Sequence, residues 1–565
     1  MSKKCICLLV SDFNVDNLSA YLSNDAGLPA VAAVTAPFNQ VIPVLRNNAA
    51  GCWRNADAAV VWTQPHKAAP SFGKILDFEK APPEAILKEV DDFSTLIKNA
   101  VGRVGYIFVP TWVIPPYNRA WGMVDLKTGS GILNTLLRMN LRLIENLEDV
   151  AGIYLLDAQR WISVAGKDAC NPKLWYMGKI AFSNEVFREA VKDIKAGLNA
   201  VAGNTKKLII VDLDDTLWGG IVGDAGMEGI KLGGHDHIGE AFVDFQRALK
   251  ALTRRGILLG IVSKNDEKTA LATISKHPEM VLRLEDFAGW RINWEDKAEN
   301  IVELVKELNL GLEAAVFIDD NPAERARVRE ALPSVYVPDW PGDKMIYKSA
   351  LSGLSCFDKL SFTSEDSRRT QSYASERKRK QEKSAIPSLG QWLISLDTNI
   401  VVGGLSDIDL ARATQLLNKT NQMNLTTRRM SEAQLKGWAA KPGHALWVFR
   451  VFDKFGDFGL VGIVSVEIKT KKAQIVDFVL SCRVFGRGVE EAMLAVACRY
   501  AKDSKPKEIF AGYIPTVKNK PCLDFFKKSG FNQKSKNYFF WDLAKNYKIP
   551  AYVKLKKAGK ATQSN

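Results

Sequence analysis

The first 200 residues alternate short apolar runs with amphipathic stretches. The apolar runs occupy residues 5–10, 58–62, 106–109 and 153–156, and each ends in polar residues, Pro or Gly. Short continuous apolar runs bounded in this way indicate strands buried on both faces of a parallel sheet. Residues 131–149 and 186–201 carry apolar positions at helical spacing. The pattern therefore predicts a three-layer α/β domain over residues 1–203.

The same alternation returns between residues 204 and 344. Apolar runs at 207–211, 257–262 and 314–318 predict three further strands, and residues 241–254 and 297–308 predict helices. Residues 345–396 differ, because they are rich in charge and poor in apolar side chains, and we interpret them as a helical connector. The chain is thus predicted to be a multidomain α/β protein.

The pattern changes to α+β after residue 397. Residues 446–452 and 460–468 flank a turn at 454–457 and predict antiparallel strands, with a third strand at 474–480. A helix follows from Gly488 to about residue 502. We expect this domain to cover residues 397–553 and to be followed by a polar, basic tail over 554–565.

Composition narrows the class of protein. The 565 residues are 47% apolar and include 14 Trp, 26 Phe and 13 Tyr, which excludes overall disorder. The apolar runs fall short of the roughly 20 residues that a bilayer requires, and the N-terminal run is too short for a signal peptide. Eight Cys follow no paired spacing, so we expect reduced thiols and a cytoplasmic protein. The net charge of +14 favours an acidic partner.

Candidate chemistry begins with KKLIIVDLDDTLWGG, where a buried strand ends at Asp212. Asp214 lies two residues further on and Thr216 two beyond that. Paired carboxylates after a parallel strand point into the crevice where α/β sheets bind ligands. One carboxylate can attack as a nucleophile while the other exchanges protons, and both can meet a Mg²⁺ ion.

This motif resembles the DxDx[TV] signature of the haloacid dehalogenase (HAD) superfamily, and its other motifs follow in order. Ser263 ends the next strand, Lys297 opens a helix, and Asp319 and Asp320 follow a third strand. The resemblance implies a phosphatase in which Asp212 attacks phosphorus and Asp214 acts as acid and base. It also implies that Thr216, Ser263 and Lys297 bind phosphate. The implied metal ligands for Mg²⁺ are Asp212, Asp214, Asp319 and Asp320.

The stretch between Asp212 and Ser263 predicts a small cap. It is rich in Gly and contains one helix, so it is too short for a large lid, and an open site suits a phosphate on a bulky carrier. His235 and His237 lie in this stretch as metal or substrate contacts or, the interpretation we favour, as solvated loop residues.

A second candidate site lies in the C-terminal domain. Arg483, Gly486, Arg487 and Gly488 follow a strand and open a helix, which resembles the pyrophosphate loop of GNAT-type N-acetyltransferases. Asn519, in Asn-Lys-Pro, resembles part of that fold's second cofactor motif. The alternative is a glycine-bearing turn without a ligand. Cys482 precedes the loop, and its neighbouring arginines favour a reactive thiolate.

Together these features resemble the FkbH-like proteins, HAD subfamily IIIC, with an SGNH-like N-terminal domain and a GNAT-like C-terminal domain. The resemblance implies that the glyceryl unit of 1,3-bisphosphoglycerate, a phosphorylated three-carbon donor, is transferred onto an acyl carrier protein. In that family the product serves polyketide biosynthesis. The resemblance further implies that CoA or carrier-borne phosphopantetheine binds at the GNAT-like loop. Ser11 and Asp12 resemble the SGNH nucleophile block, but the usual Gly is missing and His66 is the only His before residue 235. We therefore expect no hydrolysis in this domain.

Two other functions are compatible with the motifs. One is a phosphatase of a small metabolite or sugar phosphate fused to a CoA-dependent N-acyltransferase, for which Cys482 would be dispensable. The other is a phosphatase of nucleic-acid ends. The basic runs at 377–383 and 554–560 lack the interleaved aromatic residues that stack on bases, which disfavours nucleic acid. Acyl carrier proteins are acidic, in keeping with the basic excess of this chain.

Overall fold

The computed structural model describes residues 4–46, 51–129, 131–360, 379, 388–420, 422–469, 472–516 and 519–558. Half of the predicted connector (residues 361–378 and 380–387), the basic run at 377–383 except Arg379, and the end of the basic tail lie outside the described residues. The chain divides into two compact units. One comprises residues 1–208, 311–317 and 328–362, and the other 209–310, 318–327 and 363–565.

The N-terminal part of the first unit is built on a parallel sheet of five strands. They are β1 (Cys5–Ser11), β2 (Val31–Thr35), β3 (Ala58–Trp62), β4 (Tyr106–Pro110) and β5 (Ile153–Leu156). Their order in the sheet is β2-β1-β3-β4-β5. The strand order reverses at β1, and the crevice at such a point is where α/β sheets bind ligands.

Helices cover both faces of this sheet, because alternate strand residues point to opposite sides. Leu8 and Val10 contribute to one core, and Cys7 and Leu9 contribute to the other. The helices are α1 (Asp16–Asn24), α2 (Val41–Arg46), α3 (Pro65–Ala68), α4 (Pro70–Leu76), α5 (Pro83–Ala100), α6 (Ile132–Leu147), α7 (Ala158–Ala165), α8 (Pro172–Gly178) and α9 (Asn184–Val201). This is the predicted three-layer arrangement.

A second sheet carries the carboxylate motifs. Its strands are β6 (Leu208–Val211), β7 (Leu258–Ser263), β8 (Phe287–Ile292) and β9 (Ala315–Ile318), in the order β8-β7-β6-β9. The helices of this region are α10 (Val222–Gly229), α11 (His237–Arg254), α12 (Glu267–Lys276), α13 (Lys297–Glu307), α14 (Pro322–Ala331) and α15 (Tyr347–Ser352). The three predicted strands and two predicted helices are present.

The C-terminal part has a mixed sheet. Its strands are β10 (Thr398–Gly404), β11 (Met423–Asn424), β12 (His444–Asp453), β13 (Gly456–Lys469), β14 (Lys472–Leu480), β15 (Glu508–Gly512), β16 (Asn532–Ser535), β17 (Tyr538–Asp542) and β18 (Val553–Lys557). Strands β12 to β14 form the predicted antiparallel meander, and β15 then pairs in parallel with β14. The helices are α16 (Leu389–Ser395), α17 (Asp407–Lys419), α18 (Glu432–Ala439), α19 (Val489–Asp503) and α20 (Lys520–Lys528).

The predicted fold class, multidomain α/β with an α+β C-terminal domain, is confirmed. Several strands absent from the prediction lie at sheet edges or between polar residues. β16 is exposed along its whole length, and β2 is buried only at its first residue, Val31. β16, with the sequence NQKS, lacks the continuous apolar run that marks a buried strand, whereas β2, VAAVT, has such a run but lies at the edge of its sheet. No described helix combines the length and apolar character of a membrane span.

Asp12 gives the first sheet a specific dependence on pH. It follows β1, is 4% exposed, and accepts hydrogen bonds from the backbone N–H of Gln64 at 3.0 and 3.2 Å. Burial raises the pKa of Asp12 to about 7, against an ordinary value of 3.8, and the hydrogen bonds from Gln64 only partly oppose this. Between these pH values the folded domain holds a proton that the unfolded chain has released, so stability falls as pH rises.

We expect Asp12→Asn to remove this dependence, because the amide can accept the Gln64 hydrogen bond without carrying a charge. In the wild type, the free energy of opening β1 and β3 should decrease between pH 4 and 7 by at most about 4 kcal/mol. Hydrogen exchange of the β1 and β3 amides measures it. Asp16→Asn, on the exposed side of α1, is the control. Equal pH profiles for wild type and Asp12→Asn would contradict the prediction.

Candidate active site

The carboxyl ends of the second sheet bring the predicted phosphatase residues to one edge. Asp212 follows β6, Ser263 is the last residue of β7, and Asp319 follows β9. The backbone N–H of Asp212 donates to the carbonyl of Ile318 at 3.0 Å, which ties these two strand ends together. Four apolar residues before each aspartate are buried, so the strands fix where the carboxylates emerge.

Lys297 joins two of these carboxylates. It is the first residue of α13, and its Nζ lies 2.9 Å from Asp212 Oδ2 and 2.6 Å from Asp319 Oδ2. All three side chains are buried, and Asp319 is 0% exposed. Two buried negative charges and one positive charge leave a net negative charge, which a bound cation would balance.

The pKa values in this group follow from burial and charge. Burial, followed by the charge of Asp212, raises the pKa of Asp319 to about 6, and Lys297 opposes that rise. Burial alone would lower the pKa of Lys297, but the charges of Asp212 and Asp319 outweigh it and raise that pKa. The lysine therefore stays a cation while it contacts both acids.

The acidic residues fit a Mg²⁺ ion. Asp212, Asp319 and Asp320 each offer a carboxylate oxygen, and these oxygens all lie within 4.8 Å of one another. Asp212 Oδ1 is buried and has no hydrogen-bond partner among the described residues. Oxygen ligands of this kind are those that Mg²⁺ prefers. Arg325 holds the loop beneath them by donating to the carbonyl oxygens of Asp319 and Asp320, each at 2.7 Å.

Asp214, also a predicted metal ligand, lies outside that group of three carboxylates and is held by three donors. Its Oδ1 accepts from Trp218 Nε1 at 2.9 Å and from the N–H of Val222 at 3.0 Å, and its Oδ2 accepts from Asn265 Nδ2 at 2.8 Å. Burial raises the pKa of Asp214, and the Val222 and Trp218 hydrogen bonds reduce that rise. A carboxyl group that is fixed in place and has a raised pKa suits proton exchange.

Thr216 and Ser263 are buried beside these groups. The Thr216 hydroxyl donates to Asp320 Oδ1 at 3.3 Å and accepts from the N–H of Asp320 at 3.2 Å. Thr216 thus positions Asp320 directly, in addition to any predicted contact with phosphate. Asn265 and Trp218, which orient Asp214, were missed by the sequence interpretation. Trp218 lies inside the quoted motif and Asn265 lies two residues after Ser263, so proximity to the predicted residues was the available signal.

The cap over this edge is small, as predicted. Between Asp212 and residue 257 the described chain forms α10, α11 and two isolated bridges, Asp214 with Trp218 and Gly219 with Lys231. His235 is exposed, and His237 is 74% exposed beside Asp236 at 3.3 Å. These positions favour solvated loop residues over metal ligands. The stretch therefore contains no separate folded cap domain among its described residues.

The glycine loop of the C-terminal domain already binds a carboxyl group of its own. The backbone N–H of Gly486 donates to Glu490 Oε1 at 2.6 Å, and Glu490 is 2% exposed in the first turn of α19. Burial raises the pKa of Glu490 to about 7, while the Gly486 hydrogen bond lowers it. A phosphate group that used the Gly486 N–H would have to displace the Glu490 carboxyl group from it.

Gly488 and Arg487 are likewise engaged within the domain. Gly488 has φ +81°, and an added Cβ would lie 2.8 Å from Val553 Cγ2, so packing against the C-terminal segment requires glycine there. Arg487 Nη1 lies 3.4 Å from Asp453 Oδ2. Arg483 is half-buried, with no described contact that assigns it a ligand.

Asp453 connects this loop to the connector and to the β12–β13 turn. Arg379 donates to both of its carboxylate oxygens, at 2.7 and 2.9 Å, and stacks 4.2 Å from the ring centre of Phe458. The N–H groups of Phe455 and Gly456 donate to Oδ1 at 2.9 and 3.2 Å. The carboxylate is 1% exposed, and these donors satisfy it fully. The turn between β12 and β13 consists of residues 454–455 and is two residues shorter than the predicted turn at 454–457.

The side-chain amide of Asn519 is fully hydrogen-bonded within the domain. Its Oδ1 accepts from Tyr513 Oη and from the N–H of Thr516, both at 2.7 Å. Its Nδ2 donates to the carbonyls of Asn424 and Ile514 at 3.0 and 2.8 Å. These four bonds use the whole capacity of an amide side chain, so a pantetheine arm could meet only its backbone.

Cys482 begins a short 3₁₀-helix, Cys482–Val484, directly after β14. Its side chain lies outside the described part of the chain. The prediction of a reactive thiol therefore stays a prediction. The other cysteines described in the C-terminal domain, Cys498 and Cys522, are free and buried.

The phosphatase edge has a counterpart among solved structures. The chain is similar to the N-terminal part of the protein BF1531 from Bacteroides fragilis, which contains a phosphatase domain and was crystallised complexed with Mg. The identity is 28%, the TM-score is 0.58, and the match covers 64% of this chain and 95% of the other. No protein-family model matches the chain, and no curated protein matches it.

Acetyltransferases match smaller parts of the chain. One is a GNAT-family acetyltransferase from Staphylococcus aureus, at 10% identity and a TM-score of 0.21, covering 26% of this chain and 99% of the other. Another is the ribosomal-protein-S18-alanine N-acetyltransferase from Escherichia coli, at 10% identity and a TM-score of 0.20, covering 25% and 90%. The mixed sheet and the glycine loop between β14 and α19 agree with the predicted GNAT-like fold.

The fold and the carboxylate edge together define the class of protein. It is an enzyme with a HAD-like phosphatase domain, and the sequence prediction of an enzyme of this class is confirmed. The predicted roles of individual residues remain predictions, now with defined geometry.

Lys297 should be essential for turnover, because it neutralises Asp212 and Asp319 at once. We expect Lys297→Met to lower kcat/KM for p-nitrophenyl phosphate by roughly 10²–10³. Lys264→Met is the matched control, since Lys264 lies one residue beyond Ser263 but pairs with Glu324 at 2.8 Å. Its kcat/KM should change by about twofold at most. Similar losses in both variants would contradict the assignment.

Glu490 should weaken binding of anions at the glycine loop. Glu490→Ala frees the Gly486 N–H and removes a like charge, so we expect CoA to bind about tenfold more tightly than to the wild type. Isothermal titration calorimetry measures the dissociation constants. Glu490→Gln keeps an acceptor for Gly486 and should gain less. Equal affinities for wild type and Glu490→Ala would show that the carboxylate does not compete with the ligand.

Proposed function

We propose that the protein is a Mg²⁺-dependent phosphatase and glyceryltransferase of the FkbH-like type. It takes an activated phosphoglyceryl unit from 1,3-bisphosphoglycerate, removes its phosphate and loads the glyceryl group onto an acyl carrier protein. The observation that carries the phosphatase half is the buried contact of Lys297 with Asp212 and Asp319 at the strand ends. The small cap supports a substrate held on a macromolecule.

The dephosphorylation begins at Asp212. A carboxylate oxygen of Asp212 attacks phosphorus, the bond from phosphorus to the substrate oxygen breaks, and an aspartyl-phosphate forms. Lys297 neutralises charge on the carboxylate and on the phosphoryl oxygens. A Mg²⁺ ion held by Asp212, Asp319 and Asp320 would supply further charge neutralisation for the phosphoryl group. Magnesium accompanies the phosphatase domain of the Bacteroides fragilis protein.

Asp214 handles the protons in both halves of this step. Its protonated form gives a proton to the leaving oxygen, and its carboxylate then takes one from the water that hydrolyses the aspartyl-phosphate. Trp218, Val222 and Asn265 keep the carboxyl group in one orientation throughout. The raised pKa of Asp214 favours its role as the acid.

The transfer half rests on the resemblance of the C-terminal domain. The Cys482 thiolate attacks the acyl carbon of the donor, the bond to the acyl-phosphate oxygen breaks, and inorganic phosphate leaves as a thioester forms. The pantetheine thiol of the carrier then takes the acyl group. The phosphate of CoA or of carrier-borne phosphopantetheine would have to displace Glu490 if it used the Gly486 N–H.

The charge of the chain and the state of its cysteines support an acidic carrier as partner and a cytoplasmic location. The net charge of +14 is complementary to an acidic carrier, and the described cysteines are all free, as expected in the cytoplasm. The N-terminal domain resembles an SGNH domain without hydrolysis, since the Ser11 hydroxyl accepts the N–H of Phe13 at 3.2 Å, with no histidine beside it among the described contacts. Its role would be in assembly or carrier docking.

Intact-protein mass spectrometry with 1,3-bisphosphoglycerate tests the transfer. Wild type should acquire a hydroxylamine-sensitive glyceryl adduct at Cys482, and Asp212→Asn should retain the heavier phosphoglyceryl adduct, because it cannot form the aspartyl-phosphate. Cys482→Ala should acquire none, while Cys498→Ala in α19 serves as the matched control. Mg²⁺-dependent phosphate release without any adduct would instead indicate a small-metabolite phosphatase fused to an N-acyltransferase.

A further inference from the structure

Two exposed apolar side chains lie at the phosphatase edge, close to the groups that handle the phosphoryl transfer. Ile221 lies in the segment after β6 and is 51% exposed, and Trp294 follows β8 and is 75% exposed. Because the strand order is β8-β7-β6-β9, Ser263 at the end of β7 lies between these two strand ends. A single exposed apolar residue is ordinary on a protein surface. The backbone contacts of these two residues set them apart.

The backbone at Ile221 is tied to Asp214. The N–H of Val222 donates to Asp214 Oδ1 at 3.0 Å, and the carbonyl carbon of Ile221 is bonded to that nitrogen. Ordinary bond lengths therefore place the Cα of Ile221 within about 6 Å of the Asp214 oxygen. Asp214 also accepts from Trp218 and Asn265, which fixes its position. The exposed Ile221 side chain thus begins beside the carboxyl group that serves the leaving oxygen.

Trp294 is held at the neighbouring strand end by the residues on both sides of it. The N–H of Asn293 donates to the carbonyl of Ser263 at 3.1 Å, which places the Cα of Trp294 within about 8 Å of that oxygen. The side-chain amides of Asn293 and Asn300 donate to each other at 3.1 and 2.7 Å. The N–H of Glu295 donates to Asn293 Oδ1 at 3.0 Å. The backbone around Trp294 is therefore fixed, while its side chain extends into solvent.

The same segment continues into Lys297. Asp296 accepts from two N–H groups in the first turn of α13, at 2.8 and 3.2 Å, and pairs with Arg327 at 3.0 Å. Lys297 follows, with its Nζ 2.9 Å from Asp212 Oδ2. Trp294 thus lies three residues before the side chain that contacts Asp212, on a loop anchored at both ends. An exposed indole on a rigid support loses little conformational freedom when a ligand packs against it.

The chemistry of these side chains selects the kind of group that they can bind. Ile221 is aliphatic and Trp294 is aromatic, so apolar ligand surface that packs on them gains on the order of 25 cal/mol per Å² removed from water. The exposed carboxylate of Glu295, next to Trp294, disfavours an anionic group there. A neutral, apolar group is therefore the best complement to this part of the edge.

We propose that Ile221 and Trp294 determine the substrate specificity of the phosphatase site. They pack against the part of the phosphate ester that continues beyond the ester oxygen, and they favour a neutral, apolar group in that position. The phosphoryl group itself lies at Asp212 and Lys297. This inference rests on the phosphatase half of the proposed function and is independent of glyceryl transfer.

Alkylphosphonates test the proposal, because their carbon–phosphorus bond is not hydrolysed and binding is measured apart from chemistry. Phenylpropylphosphonate carries an apolar chain, methoxyethoxyethylphosphonate carries a hydrophilic chain of similar length, and methylphosphonate carries neither. The measurement is the inhibition constant against p-nitrophenyl phosphate in the presence of Mg²⁺. In the wild type the phenylpropyl compound should bind about tenfold more tightly than the other two, which corresponds to roughly 55 Å² of apolar surface removed from water.

Variants of the two residues assign this preference. Trp294→Ala should reduce it to about threefold, Ile221→Ala should reduce it less, and Trp294→Phe should retain most of it because a ring remains. Val302→Ala removes an exposed apolar side chain from α13 and is the matched control, with the wild-type preference expected. Methylphosphonate is too short to reach either side chain, so its inhibition constant should stay within about twofold of the wild-type value in every variant.

Three results would overturn the proposal. The first is equal inhibition of the wild type by the apolar and the hydrophilic compound. The second is a preference that survives the combined Trp294→Ala and Ile221→Ala substitutions. The third is an equal weakening of all three phosphonates in Trp294→Ala, which would show that Trp294 only supports the loop before Lys297. Absence of p-nitrophenyl phosphate turnover in the wild type would instead refute the phosphatase assignment itself, and this proposal with it.

Discussion

The phosphatase domain depends on keeping two carboxylates and one ammonium group buried together at the ends of parallel strands. Asp212 and Asp319 would repel each other there without Lys297, and Lys297 would be costly to bury without them. The strands before the aspartates and the helix that begins at the lysine are therefore constrained to meet at one place. The remaining negative charge makes the same place receptive to a cation and then to a phosphoryl group.

This edge could be predicted from the sequence because each of its motifs is a short run of neighbouring residues. A buried strand followed by Asp212 and Asp214 predicts where the carboxylates emerge, and the three later motifs follow strands or open a helix that periodicity also predicts. The sequence could not predict that Asn265, 51 residues after Asp214, would donate to it, since that contact depends on the register between neighbouring strands. Edge strands such as β16 escaped prediction because exposed strands need no apolar run.

At the second candidate site the structure confirms where the glycine loop lies, and its binding of a ligand stays a prediction. The glycine loop does lie between a strand and a helix, and its backbone N–H does meet a carboxyl group. That group belongs to Glu490, four residues after Gly486, which a pattern built on glycines does not take into account. Whether the N–H groups of a loop bind a ligand or a neighbouring side chain depends on side-chain rotamers and burial. The motif contains no information about either. The two adjacent glutamates after Gly488 were the available signal.

The ion pair between Arg379 and Asp453 has a consequence for dissecting the chain. Periodicity places the start of the C-terminal domain near residue 397, yet the guanidinium that satisfies the buried Asp453 comes from further upstream. A fragment beginning at residue 388 would retain every described strand of the mixed sheet and lose that cation. Its β12–β13 turn would then enclose a carboxylate with Arg487 as the sole remaining charged partner among the described residues. Fragments intended for separate expression should therefore begin upstream of Arg379.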